Sequence, residues 1–146
     1  MLSPIKILVA ACLVTLLVSV EWLTDFDKAR HTAAEQDKNI ILVFAGSDWC
    51  APCIKLEQKI WESDEFKAEA AQKWVLVKAD FPKKKANALP EAQTQHNAAL
   101  YEKYNKEGVF PLVVVIDKTG KVLGKTTYKD ITPAEYIKHL HTLEGK

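Results

Sequence analysis

Cysteine, methionine and glycine are scarce in this 146-residue chain: three Cys, one Met and five Gly. So few cysteines exclude a disulfide-dense scaffold, in which several bridges stand in for a core. So few glycines exclude collagen-like and linker-rich sequences. An excess of charge is missing too. Twenty basic against nineteen acidic residues leave a net charge of +1, no footprint for nucleic acid or an anionic membrane surface. The one lysine run, Lys83-Lys84-Lys85, follows Phe81-Pro82 and reads as a solvated loop. No internal repeat or low-complexity tract is visible, and no uncharged apolar run reaches the roughly 20 residues that span a bilayer. What is there is a globular composition, 48% hydrophobic and 27% charged, long enough for one domain with its own core.

The N-terminus departs from that composition. Behind Lys6, an uncharged apolar run extends from Ile7 to Val20 and ends at Glu21. Its 14 residues match a secretory h-region. Val18-Ser19-Val20 offers no A-x-A cleavage pattern, so residues 1–21 are expected to be a signal peptide or an uncleaved membrane anchor. Val9-Ala10-Ala11-Cys12 superficially fits a lipidation box, but too little apolar sequence precedes Cys12 and too much follows it. The run is apolar on every face, unlike a helix half-buried in a domain. Residues 22–146 are then an exported domain, periplasmic or otherwise outside the cytoplasm. If the leader is removed, Cys12 goes with it and only Cys50 and Cys53 remain.

Along the rest of the chain, Thr24 can cap a helix running through Phe26, Ala29 and Ala33. "NIILVF" (39–44) is a continuous apolar run of the kind buried central strands show. A helix follows from Cys50, a second starts at Ser63, and "KWVLVKAD" (73–80) is a strand. After a long connection, Phe81 to Leu89, Pro90 suits the first turn of a helix that Gly108 ends. "FPLVVVID" (110–117) is a strand, Asp117-Lys118-Thr119-Gly120 a hairpin turn into "KVLGKTTY", and Thr132-Pro133 opens a last amphipathic helix. The order α-β-α-β-α-β-β-α predicts an α/β fold. Parallel strands joined by crossover helices, with an antiparallel hairpin at the edge, make a mixed sheet flanked by helices on both faces.

On that map Cys50 falls where a central strand ends and a helix begins. Free backbone N–H groups and the helix dipole there favour a thiolate. Cys53, one turn on, is within reach of Cys50, and Pro52 between them stiffens the turn. Such a pair exchanges disulfides: Cys50 attacks a substrate disulfide and Cys53 resolves the mixed disulfide, or the steps run in reverse. As a staple, a bridge closing so small a loop constrains the unfolded chain very little. Zinc needs two more ligands, and no second C-x-x-C exists. His31, His96, His139 and His141 stand in no ligand-like relation to the pair and read as surface residues. Neither a metal nor a cofactor is expected.

"ILVFAGSDWCAPC" with a later "VFP" opening a strand resembles the thioredoxin superfamily. The resemblance runs from about Trp22 to Lys146, and "GSDWCAPC" followed by "ADFPKKK" is similar to its exported, single-domain bacterial members. It implies a thioredoxin-like fold and thiol–disulfide oxidoreductase activity on protein substrates. Cys50 is then the attacking and Cys53 the resolving residue of a redox disulfide. Trp49 and Pro52 shape the substrate surface. Pro111 is the cis-proline against the disulfide, with Phe110 before it, and that segment pairs with the substrate backbone. The partners implied are protein disulfides and an upstream dithiol electron donor, with a monomeric domain touching the membrane only through its N-terminal segment.

The sequence also departs from thioredoxin. Its buried acid before the motif is replaced by Val43-Phe44, which leaves Asp48 and Glu57 as the nearest acids and Lys78 as a candidate for electrostatic tuning. Ala51-Pro52 stands where thioredoxin has Gly-Pro, so the direction of electron flow is left open, with a lean towards reduction. The missing acid motivates another class of function, a redox-inert binding module using Trp49, Phe110 and the 81–89 loop. A single C-x-x-C presenting a soft ion such as Cu(I) is a third.

Overall fold

The computed structural model describes residues 19–146, so the segment expected as leader or anchor lies almost wholly outside the described residues. A two-residue strand β1 (Trp22–Leu23) comes first, then α1 (Phe26–Gln36) and β2 (Asn39–Ala45). Helix α2 (Ala51–Leu56) widens into a π-helical turn (Glu57–Trp61), and α3 (Asp64–Lys73) leads into β3 (Trp74–Asp80). A 3₁₀ turn (Lys85–Asn87) precedes α4 (Glu91–Tyr104), the hairpin β4 (Leu112–Ile116) and β5 (Val122–Thr126), and α5 (Pro133–Leu143). Among the described residues, no helix is long and apolar enough to cross a membrane.

The strands form one sheet in the order β1-β3-β2-β4-β5. β1, β3 and β2 are parallel; β4 runs antiparallel to β2 and β5 antiparallel to β4. This is the mixed sheet that the alternation predicts. β2 is central, and its side chains alternate between two cores. Ile40, Leu42 and Phe44 join Phe26, Ala29 and Ala33 of α1 and Leu100 and Tyr104 of α4. Ile41, Val43 and Ala45 join Leu56, Ile60, Trp61, Phe66, Tyr136 and Leu140 from the helices of the opposite face. Burying each such large apolar side chain stabilises the fold by about 1.5–3 kcal/mol. A register slip of one residue in β2 would exchange the two cores, so both faces fix where the strand ends.

Most expected elements are present, with local corrections. Asp25, not Thr24, caps α1, its carboxylate accepting from the Lys28 N–H at 3.0 Å. Pro90 stands at the cap of α4 rather than inside its first turn, and α4 ends at Tyr104, four residues before Gly108. Asn105, fully buried, ends it by exchanging two hydrogen bonds with the backbone of Val109. Ser63 caps α3 as expected, and Thr132 with Glu135 closes a reciprocal capping box on α5. The π turn has no signature in the sequence; its extra residue turns the neighbours Ile60 and Trp61 both inward.

The histidines also need correction. Only His31 is exposed; the other three are half-buried and bonded. His96 Nε2 accepts from the Phe26 N–H, and His139 pairs with Thr126 Oγ1. His141 lies between Glu69 (2.6 Å) and Glu144 (2.8 Å), at the amino ends of β2 and β3. The Glu144 carboxylate, 1% exposed, also accepts from Asn39 Nδ2 at 2.6 Å and Trp74 Nε1 at 2.9 Å. Burial opposes its ionisation, but these hydrogen bonds outweigh burial and hold its pKa below the usual carboxylate range. Its stabilisation is therefore complete above the ordinary carboxylate pKa and is lost as pH falls through the lower folded-state value. Glu144→Gln should cost about 1–3 kcal/mol at pH 7, the value of hydrogen bonds to a buried charge. Thermal melts from pH 7 to pH 2 should show the two proteins converging at acid pH. Equal midpoints at pH 7, or a gap that does not close, would contradict this.

Candidate redox site

β2 ends at Ala45, and the chain turns tightly before α2. Gly46 O accepts from the N–H groups of both Trp49 (3.2 Å) and Cys50 (2.9 Å). A Cβ on Gly46 would overlap the Trp49 indole, so only glycine fits this turn. Cys50 is the cap of α2, in extended backbone conformation, and Cys53 is one turn further. The two are joined as a disulfide, with their Cα atoms 5.2 Å apart. The sulfurs differ in surroundings. Cys50 Sγ accepts from the Cys53 N–H at 3.3 Å, one of the free donors of the helix start. Cys53 Sγ, as buried as Cys50, accepts from the Gly46 N–H at 3.5 Å. With the pair reduced, the helix-start donor favours a thiolate on Cys50.

The remaining predicted residues converge here. The Phe110–Pro111 peptide bond is cis, Pro111 is buried, and Thr127 Oγ1 donates to its carbonyl at 2.6 Å. Phe110 meets the Trp49 ring edge-on, with centroids 5.3 Å apart. Phe81 and Tyr101 complete the aromatic group around Phe110, at 5.5 and 6.1 Å. Such pairs add about 0.5–1.5 kcal/mol each beyond area burial. Trp49 stays partly exposed, as do Ile54 just after Cys53 and Val109 just before Phe110. Pro52 is exposed on the first turn of α2.

The three residues before Cys50 are tied to the segment after β3. Ser47 N–H and Oγ both donate to Asp80, at 2.9 and 2.5 Å. Trp49 Nε1 donates to Phe81 O at 2.7 Å, and Phe81 N–H donates to Ala45 O at 2.9 Å. Asp48 accepts from the N–H groups of Lys83 (2.9 Å) and Lys84 (3.0 Å) and from Asn87 Nδ2 (3.0 Å). Led by the Lys83 bond, these lower its pKa to about 2. Asp48 is thus a loop clamp, its carboxylate engaged by three donors from the segment after β3.

Glu57 and Lys78 form an ion pair of 2.6 Å, both half-buried. Glu57, one turn after Cys53 on the same helix, lines a small cavity together with Cys53, Ala45 and Ser47. The Lys78 ammonium lies 5.0 Å from the centre of a Trp22 ring. The two residues singled out separately from sequence are one charged unit, and its carboxylate shares a cavity with Cys53. Sequence reasoning missed the roles of Gly46, Ser47, Asp80 and Tyr101; all but Tyr101 fall in the quoted "GSD" and "ADFP" stretches, yet nothing in the chain's order pairs them. Among the described residues, no three His, Cys, Asp or Glu side chains gather as a metal site.

Known proteins share this arrangement. Residues 21–118 match the sequence model of a family described as thioredoxin-like. The disulfide bond reductase DsbH of Chlamydia pneumoniae is 37% identical over 119 residues, covering 82% of this chain and 69% of that protein. The thioredoxin-related protein DsbJ of the same organism is 30% identical over 98 residues, 67% of this chain but only 27% of DsbJ. A solved structure of a DsbH oxidoreductase superposes with a TM-score of 0.79 at 34% identity, over 86% of this chain and 84% of that one. This chain belongs to the thioredoxin-like family.

Proposed function

We propose that this chain is an exported thiol–disulfide oxidoreductase that reduces disulfides in protein substrates through Cys50 and Cys53. The observation that carries this reading is the disulfide itself, set at the junction of a central strand and a helix, with a helix N–H on Cys50 Sγ and with Phe110, the residue before the cis-proline, against Trp49. The similarity to a protein named as a disulfide bond reductase supports the direction. Residues 1–21 act as signal peptide or anchor, the domain works as a monomer outside the cytoplasm, and the membrane is met only through that segment.

The reduced protein starts the cycle. Cys50 thiolate attacks one sulfur of the substrate disulfide; a Cys50–substrate bond forms, and the other substrate sulfur leaves as a thiolate that takes a proton from water. Cys53 then loses its proton and attacks Cys50 Sγ. The Cys50–Cys53 disulfide forms, and the second substrate thiolate is released. Two electrons have passed to the substrate, and an upstream dithiol must return two to the enzyme. The edge next to Pro111 and Phe110 receives the substrate backbone as an added strand, while Trp49 and Pro52 supply its side-chain contacts.

Cys53 must lose its proton in the second step, and Glu57, which lines the same cavity, accepts it. The Lys78 ammonium holds that carboxylate in place through their 2.6 Å ion pair.

Cys50→Ser should abolish turnover of a protein disulfide. Cys53→Ser should instead accumulate a mixed disulfide at Cys50, visible by non-reducing electrophoresis and mass spectrometry. Full activity of Cys50→Ser would overturn the reading. For the second step, Glu57→Gln should slow resolution by roughly 10²-fold, the usual contribution of a positioned base. The first attack should be unaffected, and the loss should shrink as pH rises and hydroxide replaces the base. An unchanged resolution rate and pH profile would remove Glu57 from the mechanism.

A further inference from the structure

The longest run of like charge in the chain, Lys83-Lys84-Lys85, stands at the redox edge and is tied to it. All three side chains are exposed, and none is ion-paired among the described residues. Their backbone is held through the N–H groups of Lys83 and Lys84 on Asp48, the residue two before Cys50. The Lys83 ammonium lies 3.8 Å above the Trp49 ring centre, next to Cys50 in the chain. The acids close to the run, Asp48 and Asp80, are engaged by Asn87 and by Ser47 as well as by backbone N–H groups. Their charge faces the loop's own interior bonds, whereas the ammonium groups face solvent. Trp49, under the Lys83 ammonium, is exposed, as are Ile54, which follows Cys53 in the chain, and Val109, which precedes Phe110.

We infer that this lysine loop is a specificity element that selects protein substrates carrying acidic residues beside an apolar-flanked cystine. The inference rests on the oxidoreductase reading and extends it to substrate class. A substrate strand lying against Pro111 and Phe110 passes Trp49, because Trp49 and Phe110 are in edge-to-face contact. A carboxylate on that strand then meets Lys83, whose cation–π contact with an exposed ring is worth only about 0.5–1 kcal/mol and is readily exchanged for an ion pair. Lys84 and Lys85 add steering, which acts on encounter and weakens with salt.

The test uses two disulfide-containing peptides that differ only in flanking Glu or flanking Lys, both with an apolar residue next to the cystine. Uncharged hydroxyethyl disulfide is the reference, and every kcat/KM is divided by that of the same protein on the reference. The wild-type domain should favour the acidic peptide by about tenfold at low salt, chiefly through KM, with the preference shrinking above the ionic strength that screens surface charge. Lys84→Glu/Lys85→Glu, which keeps the Lys83–Trp49 contact, should abolish or reverse the preference. Equal relative kcat/KM for the two peptides, or an unchanged preference in the double variant, would overturn the inference while leaving the oxidoreductase reading intact. Failure of the wild type to turn over even the reference would instead overturn that reading, and this inference with it.

Discussion

The redox edge depends on one constraint, the parallel pairing of β2 with β3, which ends with Ala45 opposite Asp80. Two chain segments leave the sheet side by side at that point, and each supplies what the other lacks. The segment after β2 brings free N–H groups and an indole; the end of β3 brings the Asp80 carboxylate, and the next residue the Phe81 carbonyl. Asp48 reaches back to close the second loop. The cysteine turn is thereby rigid before any substrate arrives, and a preformed site loses less entropy on binding.

That rigidity makes two chemically equal residues unequal. Cys50 caps a helix and meets one of its free donors, whereas Cys53 Sγ accepts from the Gly46 N–H and lines a cavity shared with Glu57. In the proposed cycle Cys50 attacks the substrate and Cys53 loses its proton to resolve the mixed disulfide. Where the central strand carries no acid, a carboxylate from the residue after α2 and an ammonium from β3 form an ion pair.

Much of this was legible in the sequence, and the part that was not has a common cause. Continuous apolar runs marked β2, β3 and β4 because strands buried on both faces carry no alternation to misread. Ser63 and Thr132 announced their helices because capping is local chemistry. Cys50, Cys53, Trp49, Phe110 and Pro111 were singled out by their order and by resemblance, and the fold brings all five to one edge. Features that depend on long-range pairing were hidden. β1 has only two residues and exists because β3 offers it an edge. The Glu57–Lys78 pair joins positions 21 apart, and the Asp48 clamp spans more than 30. The histidines read as surface residues because nothing local to His141 announces Glu69, 72 residues away.

The most direct test of the central claim is the reduction potential of the Cys50–Cys53 pair, measured by equilibrating residues 22–146 in defined glutathione and dithiothreitol buffers. A protein-disulfide reductase should titrate near the thioredoxin value, about −270 mV. A value towards about −120 mV would contradict the reductive direction and mark an oxidant that hands on its disulfide. A pair that neither buffer reduces would contradict redox function altogether and leave a binding module built on Trp49 and Phe110.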